Sequence, residues 1–257
     1  MTELRRHYED YVGTFRGADG RLPSMMELKL EHTMRVVEAA RLIAAGEGFD
    51  ARTARCCEAA ALLHDTGRYE QLRRYNTFRD SDSVDHAVFS HDIVKEKGWL
   101  GSWPDRDAIL TAVLVHNRRD IPAAEMDALT LAVSRTVRDA DKLDIFRVLE
   151  NLVRTTDWRT DSTAFWNLSV TEGPSPKVVE CVRGGRPVDY QNVRSLSDFV
   201  LIQVGWMISG LEFATSRRIC AERGHLEFRR GFLHQLSSSP AVDALCDIAA
   251  SALAAVG

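Results

Sequence analysis

The stretch LLHDTGR at residues 62–68 places an imidazole, His64, beside a carboxylate, Asp65, where an apolar run ends at Gly67. Polar groups at the inner end of a buried helix destabilise a fold by several kcal/mol when they lack partners. A local hydrogen-bond network or a metal ion can satisfy them, because imidazole nitrogens and carboxylate oxygens are common metal ligands. The sequence therefore predicts one of these two arrangements around His64 and Asp65.

Three further histidines lie in segments that are predicted to be helices. An apolar stripe that runs from Leu28 to Ile43 includes His32, which is therefore expected to face inward. His86 lies in a later predicted helix. His116 shares a face with Ile109, so a fourth histidine is also directed at the core.

A buried carboxylate is predicted in the stretch RDADKLD at residues 138–144. The apolar face of this helix is formed by four residues, Val137, Asp141, Ile145 and Val148. Asp139 lies about 160° away around the helix, on the side of Arg135 and Lys142. Of the two aspartates, only Asp141 is expected to point at the core, and a buried carboxylate needs a cationic partner.

The elements that position these residues are predicted to be helices. Ser24 and Glu27 form a predicted capping box that opens the first helix. The other predicted elements follow in chain order: a helix from about Asp50 to His64 and Asp65, a polar loop, and helices from about Ser83 to Lys97, from Pro104 and Asp105 to His116, and from Pro122 to about Thr155. Residues 166–194 contain GPSP and GGRP and are expected to form an irregular excursion or a small hairpin, after which helices resume near Ser195 and through the last thirty residues.

Composition limits the class of protein. The 257 residues are 45% hydrophobic with a formal net charge of −4, so the chain can bury a substantial core and nucleic acid is not an expected partner. Five cysteines, two of them adjacent at Cys56 and Cys57, do not resemble a disulfide framework, which favours a reducing cytoplasm. The start MTELRRHYED has no apolar signal region, and no run of eighteen apolar residues predicts a membrane span.

The order and context of these residues resemble the HD-domain metal-dependent phosphohydrolases over residues 25–155. The matching segments are LEHTMRV, AALLHDTGR, DHAVFSHDIV, AVLVHN and DADKLD. The resemblance implies an all-α HD-domain helical bundle in residues 1–155. Residues 156–257 lie outside the resemblance and are expected to form a less regular helical extension packed on the core, as a lid or an oligomer interface, and a homodimer is an expected partner arrangement.

The resemblance also implies a metal centre. Its ligands would be His32, His64, Asp65, His86, His116 and Asp141. Two divalent transition-metal ions are expected, because the middle histidines are typical of dinuclear members, and Asp65 would bridge them. Iron, manganese, zinc and nickel suit these ligands, and magnesium is a further candidate.

The implied reaction is hydrolysis of a phosphate ester or anhydride in a small, nucleotide-like substrate by metal-activated water. Catalytic roles are expected for Asp65, Arg68 and Lys142, and the substrate is expected to contact Arg68, His91, Asn117, Arg118, Lys142 and Arg147. Protonation of the leaving group could fall to His91, Lys142 or water. His91 has an alternative structural role, and it could also replace His86 as a ligand.

Several relatives and rivals differ in testable ways. The stretch GRYEQ stands where hydrolases of guanosine tetraphosphate carry a Glu-Asp pair, and the Gly-Tyr-Pro signature of cyclic-di-GMP hydrolases does not occur. Dinucleoside polyphosphate hydrolases are nearer in ligand number. An HD-type mixed-valence di-iron oxygenase would use the same six ligands on an organophosphonate or a polyol, and a non-catalytic ligand-binding or regulatory domain is the other alternative.

Overall fold

The computed structural model describes residues 1–160, 165, 167–237 and 239–255, and these residues are mostly α-helical. The α-helices of this part of the chain are α1 Thr2–Gly13, α2 Ser24–Gly46, α3 Ala51–Leu63, α4 Gly67–Tyr75, α5 His86–Glu96, α6 Arg106–Val115, α7 Ala128–Thr155, α8 Pro176–Arg183, α9 Leu196–Gly205, α10 Ala214–Glu222, α11 His225–Leu236 and α12 Pro240–Ala254. The predicted all-α fold class is confirmed. Within the described residues, none of these helices is long and apolar enough to cross a bilayer.

The chain divides into two compact units, residues 1–144 and residues 145–257. In the first unit, α2 packs on α3, and α3 and α5 both pack on α6. The core of this unit includes the apolar face of α2 and the fully buried run Ala59–Leu63 of α3. Because α3 is buried along its last turn, the two residues that follow it are delivered into the interior.

Aspartate side chains cap the amino-terminal ends of two of these helices. Asp50 accepts a hydrogen bond from the Thr53 amide at 2.7 Å and caps α3. Asp85 accepts from the amides of Ala87 and Val88 and caps α5. A side-chain oxygen at this position satisfies an amide that has no partner within the helix. The α5 cap makes His86 the first residue of its helix, three residues later than Ser83, where the sequence predicted the start.

The helix α4 lies where the sequence predicted a polar loop. It begins at Gly67, whose amide donates to Ser90 Oγ at 2.8 Å. A Cβ atom at this position would lie 2.7 Å from Ser90 N and 2.9 Å from His86 O. The absence of a side chain at Gly67 therefore lets α4 approach the backbone of α5 and brings His86 towards the His64–Asp65 pair.

Other sequence predictions were wrong at the ends of helices. Ser24 is the first residue of α2 and makes no capping bond among the described residues. Leu28 and Val148 were placed on buried stripes but are 54% and 42% exposed. Pro122 opens a short 3₁₀ turn, and α7 begins only at Ala128. The helical period places apolar residues on one face but does not show which turns of that face another element covers.

The second unit is built around a buried arginine. Arg229 on α11 is fully buried and donates to Glu150 Oε1 at 2.8 Å, to Phe146 O at 2.8 Å and to Gln203 Oε1. His225 Nδ1 lies 2.6 Å from the same oxygen of Glu150. These bonds tie α7, α9 and α11 together, because the Arg229 guanidinium and the Glu150 carboxylate find hydrogen-bond partners inside an otherwise apolar interior.

The less regular segment before α9 contains more helix than the sequence predicted. Helix α8 lies within it, and Ser169 forms a single parallel bridge with Ser195, so the described residues form no hairpin here. Trp166, where the irregular pattern was predicted to begin, lies outside the described residues. Ser195 opens α9 with a capping box to Asp198, as the resumption of helices near Ser195 predicted.

Candidate metal centre

Five helices place six histidine and aspartate side chains around one point of the first unit. His32 lies in the middle of α2, and Asp141 lies in α7. The others stand at helix ends: His64 and Asp65 after α3, His86 at the start of α5, and His116 after α6. All are buried except Asp141, whose side chain is 18% exposed. The structure thus brings together the six residues that the sequence predicted as ligands.

Each imidazole uses its Nδ1 atom to contact an acceptor outside the cluster. His64 Nδ1 donates to Ala61 O at 2.8 Å, and His116 Nδ1 donates to Val113 O at 2.7 Å. Each of these acceptors lies three residues earlier, at the carboxyl end of its own helix. A neutral imidazole that donates through Nδ1 carries its lone pair on Nε2. His64 and His116 therefore present Nε2 as an acceptor.

The other two rings are oriented by carboxylates. His32 Nδ1 lies 2.7 Å from Asp144 Oδ2, and His86 Nδ1 lies 2.5 Å from Asp80 Oδ2. The Nε2 atoms then point inward in pairs: those of His32 and His64 are 3.3 Å apart, and those of His86 and His116 are 3.0 Å apart. Two lone pairs at this separation repel each other unless a cation lies between them.

The Asp65 carboxylate lies between the two histidine pairs. Its Oδ2 is 3.6 Å from His32 Nε2 and 3.7 Å from His64 Nε2. Its Oδ1 is 3.6 Å from His86 Nε2 and 3.8 Å from His116 Nε2. Each oxygen of Asp65 thus faces one pair. Asp141 Oδ1 adjoins only the first pair, at 3.2 Å from His32 Nε2 and 4.0 Å from His64 Nε2.

These separations suit metal ligation. Ligand atoms bound at about 2.1 Å to one ion lie roughly 3.0–3.4 Å apart at neighbouring tetrahedral or octahedral positions. The nitrogen and oxygen atoms above lie between 3.0 and 4.0 Å apart, so small adjustments would place them around an ion. Two groups of three residues have ligand atoms close enough together to hold one metal ion. The first group is His32, His64 and Asp141, and the second is His64, Asp65 and His116.

The electrostatics of the cluster favour a bound cation. Burial and the neighbouring His86 and His64 lower the pKa of His116 to about 3, so this ring stays neutral. Burial opposes a charged His32, but Asp141 and Asp144 outweigh it and raise its pKa. Burial also opposes ionisation of Asp65, yet Lys29 and the surrounding cations hold its pKa well below the usual range. Positive charge is therefore favoured at His32 Nε2 and beside Asp65, and a metal ion can supply it.

A protein-family model matches the segment of the chain that contains these six residues. Residues 30–145 match the family model described as the HD domain. These residues form an HD domain. The matched residues contain the whole cluster from His32 to Asp141. Comparison with curated proteins and with solved structures found no match.

HD domains bind divalent metal ions, and in this HD domain two outer carboxylates, Asp144 and Asp80, orient His32 and His86. Asp144 also accepts from Arg35 Nε at 2.6 Å, and Asp80 also accepts from Arg68 Nη1 at 2.9 Å. Carboxylates in this position fix the tautomer and the direction of a ligating histidine. The sequence did not identify Asp144 or Asp80. Asp144 could have been found from its spacing of three residues from Asp141, whereas Asp80 lies in a 3₁₀ turn with no periodic pattern.

The first unit also contains a lysine that the sequence reasoning missed. Lys29 Nζ donates to Asp65 Oδ2 at 2.9 Å and lies 5.4 Å from the centre of the Phe78 ring. Lys29 precedes His32 by three residues, so both lie on one face of α2. That spacing was the signal that could have identified it.

The cations predicted to bind substrate lie at different places in the HD domain. Arg68 Nε lies 3.5 Å from Asp65 Oδ1, while Arg68 Nη1 is bonded to Gln71, Phe78 O and Asp80. Lys142 Nζ lies 3.9 Å from Asp139 Oδ1. Asp139 is fully buried, which corrects the expectation that only Asp141 of this pair would be directed inward.

The remaining predicted substrate contacts lie around the HD domain or beyond the first unit. Asn117 Nδ2 donates to Asp85 Oδ1 at 2.8 Å, and His91 Nδ1 lies 2.9 Å from Asp92 Oδ1. Arg118 is exposed in the loop after His116. Arg147 is exposed in the second unit, on the part of α7 beyond residue 144.

Proposed function

We propose that this HD-domain protein is a metal-dependent phosphohydrolase that cleaves a phosphate ester or anhydride of a small, nucleotide-like substrate. The observation that carries the proposal is the position of Asp65, whose two oxygens face two separate pairs of histidine Nε2 atoms. A carboxylate in this position can bridge two ions, which a neutral imidazole with its single lone pair cannot.

The six residues would then form two half-sites of unequal strength. His32, His64 and Asp141 would hold one ion, and His86 and His116 would hold the other, with Asp65 shared. The first half-site has one carboxylate more and should bind its ion more tightly. Two divalent ions, when bound, acidify a water molecule to supply hydroxide and polarise a phosphoryl oxygen.

The protein side chains would orient the substrate and balance its charge. Arg68 lies beside Asp65 Oδ1, so its charge would reach a phosphate bound there. Lys142 adjoins Asp141 in the chain and is proposed as a second phosphate contact. His91, Asn117 and Arg118 would contact outer parts of the substrate. The proton for the leaving group would come from His91, Lys142 or water.

Metal analysis followed by an activity screen tests the proposal. The purified protein should contain or take up close to two divalent ions per chain, and it should hydrolyse phosphate esters or anhydrides with manganese, iron or magnesium. Replacing Asp65 by alanine should remove both ions, whereas His86→Ala and His116→Ala should each weaken mainly one. Wild-type metal content and activity in the two histidine variants would contradict the two-ion arrangement.

The role of Lys142 has a separate test. The Lys142→Ala variant should raise KM or lower kcat for phosphorylated substrates and leave metal content nearly unchanged. Loss of metal with unaltered kinetics per bound ion would instead make Lys142 a structural residue. Substrate-dependent oxygen consumption by protein that contains iron and hydrolyses no phosphate compound would point to an oxygenase and contradict the proposed reaction.

A further inference from the structure

Lys29 extends from the edge of the first unit to the centre of the candidate site. Its side chain is 21% exposed, whereas the Asp65 carboxylate that it contacts at 2.9 Å is almost fully buried. The contacted atom, Oδ2, is also the oxygen that faces His32 and His64. The ammonium group therefore lies beside the half-site that includes Asp141, with part of its side chain open to solvent.

The ring of Phe78 limits where the Lys29 ammonium group can move. Lys29 Nζ and the Arg68 guanidinium carbon lie 5.4 and 5.7 Å from the ring centre, which are cation–π distances. Each cation faces a different oxygen of Asp65, Lys29 at Oδ2 and Arg68 at Oδ1. Phe78 and Asp65 together hold two positive groups on the same side of the site.

The two cations differ in what neutralises them. Arg68 is paired with Asp80 at 2.9 Å, and three acceptors already occupy its Nη1 atom. Within the described residues, Asp65 is the carboxylate that Lys29 contacts. Asp65 is also the carboxylate that four histidines approach and that the proposed function assigns to the metal ions. Among the described residues, Lys29 therefore adds a positive charge that no carboxylate other than Asp65 pairs with.

We infer that Lys29 binds the phosphate of the substrate next to Asp65 Oδ2 and makes the site selective for a terminal phosphate over a phosphodiester. An oxygen ligand that neighbours Oδ2 on one ion would lie roughly 3 Å from it, which is within reach of Nζ. A lysine ammonium has three rotatable donors and can bond Asp65 and a phosphate oxygen together. A terminal phosphate carries a charge of about −1.5 to −2 near neutral pH and gains more from the added cation than a singly charged diester does.

This inference rests on the proposed function, and phosphate binding tests it without requiring turnover. Titration calorimetry on manganese-loaded protein at pH 8 would compare inorganic phosphate with dimethyl phosphate. In the Lys29→Met variant, the Kd of inorganic phosphate should rise roughly 10- to 100-fold, the effect of losing one charge-assisted hydrogen bond. The Kd of dimethyl phosphate should change much less. The metal content of Lys29→Met should equal or exceed that of the wild type, because the variant lacks the ammonium group that competes with a metal ion for Asp65.

Two further variants act as controls. Lys29→Arg retains the charge and should recover most of the affinity for inorganic phosphate. Lys97→Met removes an exposed lysine just after α5 and should change neither affinity nor metal content. For monoester substrates, Lys29→Met should chiefly raise KM if the substrate and the transition state use the contact equally.

The outcomes separate this inference from the proposed function. Phosphate binding that depends on Lys29, in protein that hydrolyses no phosphate compound, would support the role of Lys29 and contradict the hydrolase proposal. Hydrolysis of monoesters with unchanged KM and kcat in Lys29→Met would support the hydrolase and overturn the role of Lys29. Loss of metal in Lys29→Met, or failure of the wild type to bind phosphate, would also overturn it.

Discussion

His32 Nδ1 lies 2.7 Å from Asp144 Oδ2, on the side of the ring opposite the candidate metal centre. Arg35 Nε holds the same carboxylate at 2.6 Å. The second histidine pair repeats this arrangement, with Asp80 between His86 and Arg68. In each pair, one histidine is oriented by a carboxylate and the other by a carbonyl of its own helix, so each histidine pair has one orienting charge.

We predict that Asp144→Asn and Asp80→Asn weaken metal binding at different half-sites. An asparagine keeps the shape of the side chain but can present its amide nitrogen to the ring and leaves the neighbouring arginine without its carboxylate. Loss of such an orienting carboxylate typically weakens metal affinity about 10- to 100-fold. Equilibrium dialysis with manganese should show weaker binding of the tighter ion in Asp144→Asn and of the weaker ion in Asp80→Asn.

Asp92→Asn is the matched control for both variants. Asp92 is also paired with a histidine, His91, at 2.9 Å, but its side chain is exposed and lies outside the cluster. Its replacement should leave both manganese affinities unchanged. Equal losses at both half-sites in Asp144→Asn would show that Asp144 supports the fold as a whole and would contradict its assignment to His32.

A second prediction concerns Arg138, which holds the loop that follows His116. Arg138 Nη1 donates to the carbonyls of Val115 and His116 at 3.2 Å and also to that of Arg118. A cation at the carboxyl end of a helix satisfies carbonyls that lack helical partners. The Arg138→Met variant should lose about 1–3 kcal/mol of unfolding free energy. It should also bind the ion at His116 more weakly than the wild type does.

Arg106→Met is the control, because Arg106 is an exposed arginine at the opposite end of α6. Its replacement should change the unfolding free energy by no more than about 0.5 kcal/mol. Urea denaturation and manganese dialysis of both variants measure the two effects. If Arg138→Met kept the wild-type metal affinity despite lower stability, Arg138 would stabilise the loop without positioning His116.

The sequence predicted that the six residues converge, but it did not predict which residues orient them. His32 and His116 lie on apolar stripes, and His64 and Asp65 stand at the end of an apolar run. The helical period is therefore enough to predict that these four residues face inward. Asp80 contacts His86 from a short 3₁₀ turn, where no period exists to indicate direction. Contacts of this kind depend on how the loop folds against α5 and are not encoded in a repeating pattern.

Helix α4 shows the other limit of sequence reasoning. The stretch GRYEQLRRY is highly polar and starts with glycine, so its composition predicted a loop. Two of its buried residues, Tyr69 and Gln71, contact Tyr8 and the loop around Asp80, respectively. The helix is therefore stabilised by tertiary packing and hydrogen bonds that local propensity does not report.

A third prediction tests the close approach of α4 and α5. A Cβ atom at Gly67 would lie 2.7 Å from Ser90 N, a backbone atom that cannot move independently. Gly67→Ala should therefore destabilise the protein by about 1–3 kcal/mol, as forced overpacking does. It should also lower metal content, because His86 O is only 2.9 Å from the same position.

Gly231→Ala provides the contrast. Gly231 lies within α11, and among the described residues no atom beyond the adjacent backbone of its own helix lies within 4 Å of the position that its Cβ would occupy. Alanine there should stabilise the protein by about 0.5–1 kcal/mol through helix propensity. Thermal unfolding of the two variants should therefore show shifts of opposite sign, and similar shifts would contradict the proposed helix contact at Gly67.

The last prediction concerns the pH dependence of stability in the second unit. Burial alone would raise the pKa of Glu150, but hydrogen bonds from His225 and Arg229 outweigh it and lower the pKa. Between the folded pKa and the unfolded value of about 4.3, the unfolded chain binds a proton that the folded chain does not. The contribution of Glu150 is therefore fully present above the unfolded pKa and is lost as pH falls through the folded pKa.

Glu150→Gln should remove this component of the acid sensitivity. At pH 7 the variant should have a lower urea midpoint than the wild type, because Arg229 and His225 lose their carboxylate, and the difference should shrink as pH falls below about 4.3. Glu222→Gln alters an exposed glutamate that pairs with Arg218 on α10, so its midpoints should follow the wild type at every pH. Urea titrations of the three proteins between pH 7 and pH 3.5 measure the difference, and a constant gap between Glu150→Gln and the wild type would show that Glu150 is not ionised differently in the two states.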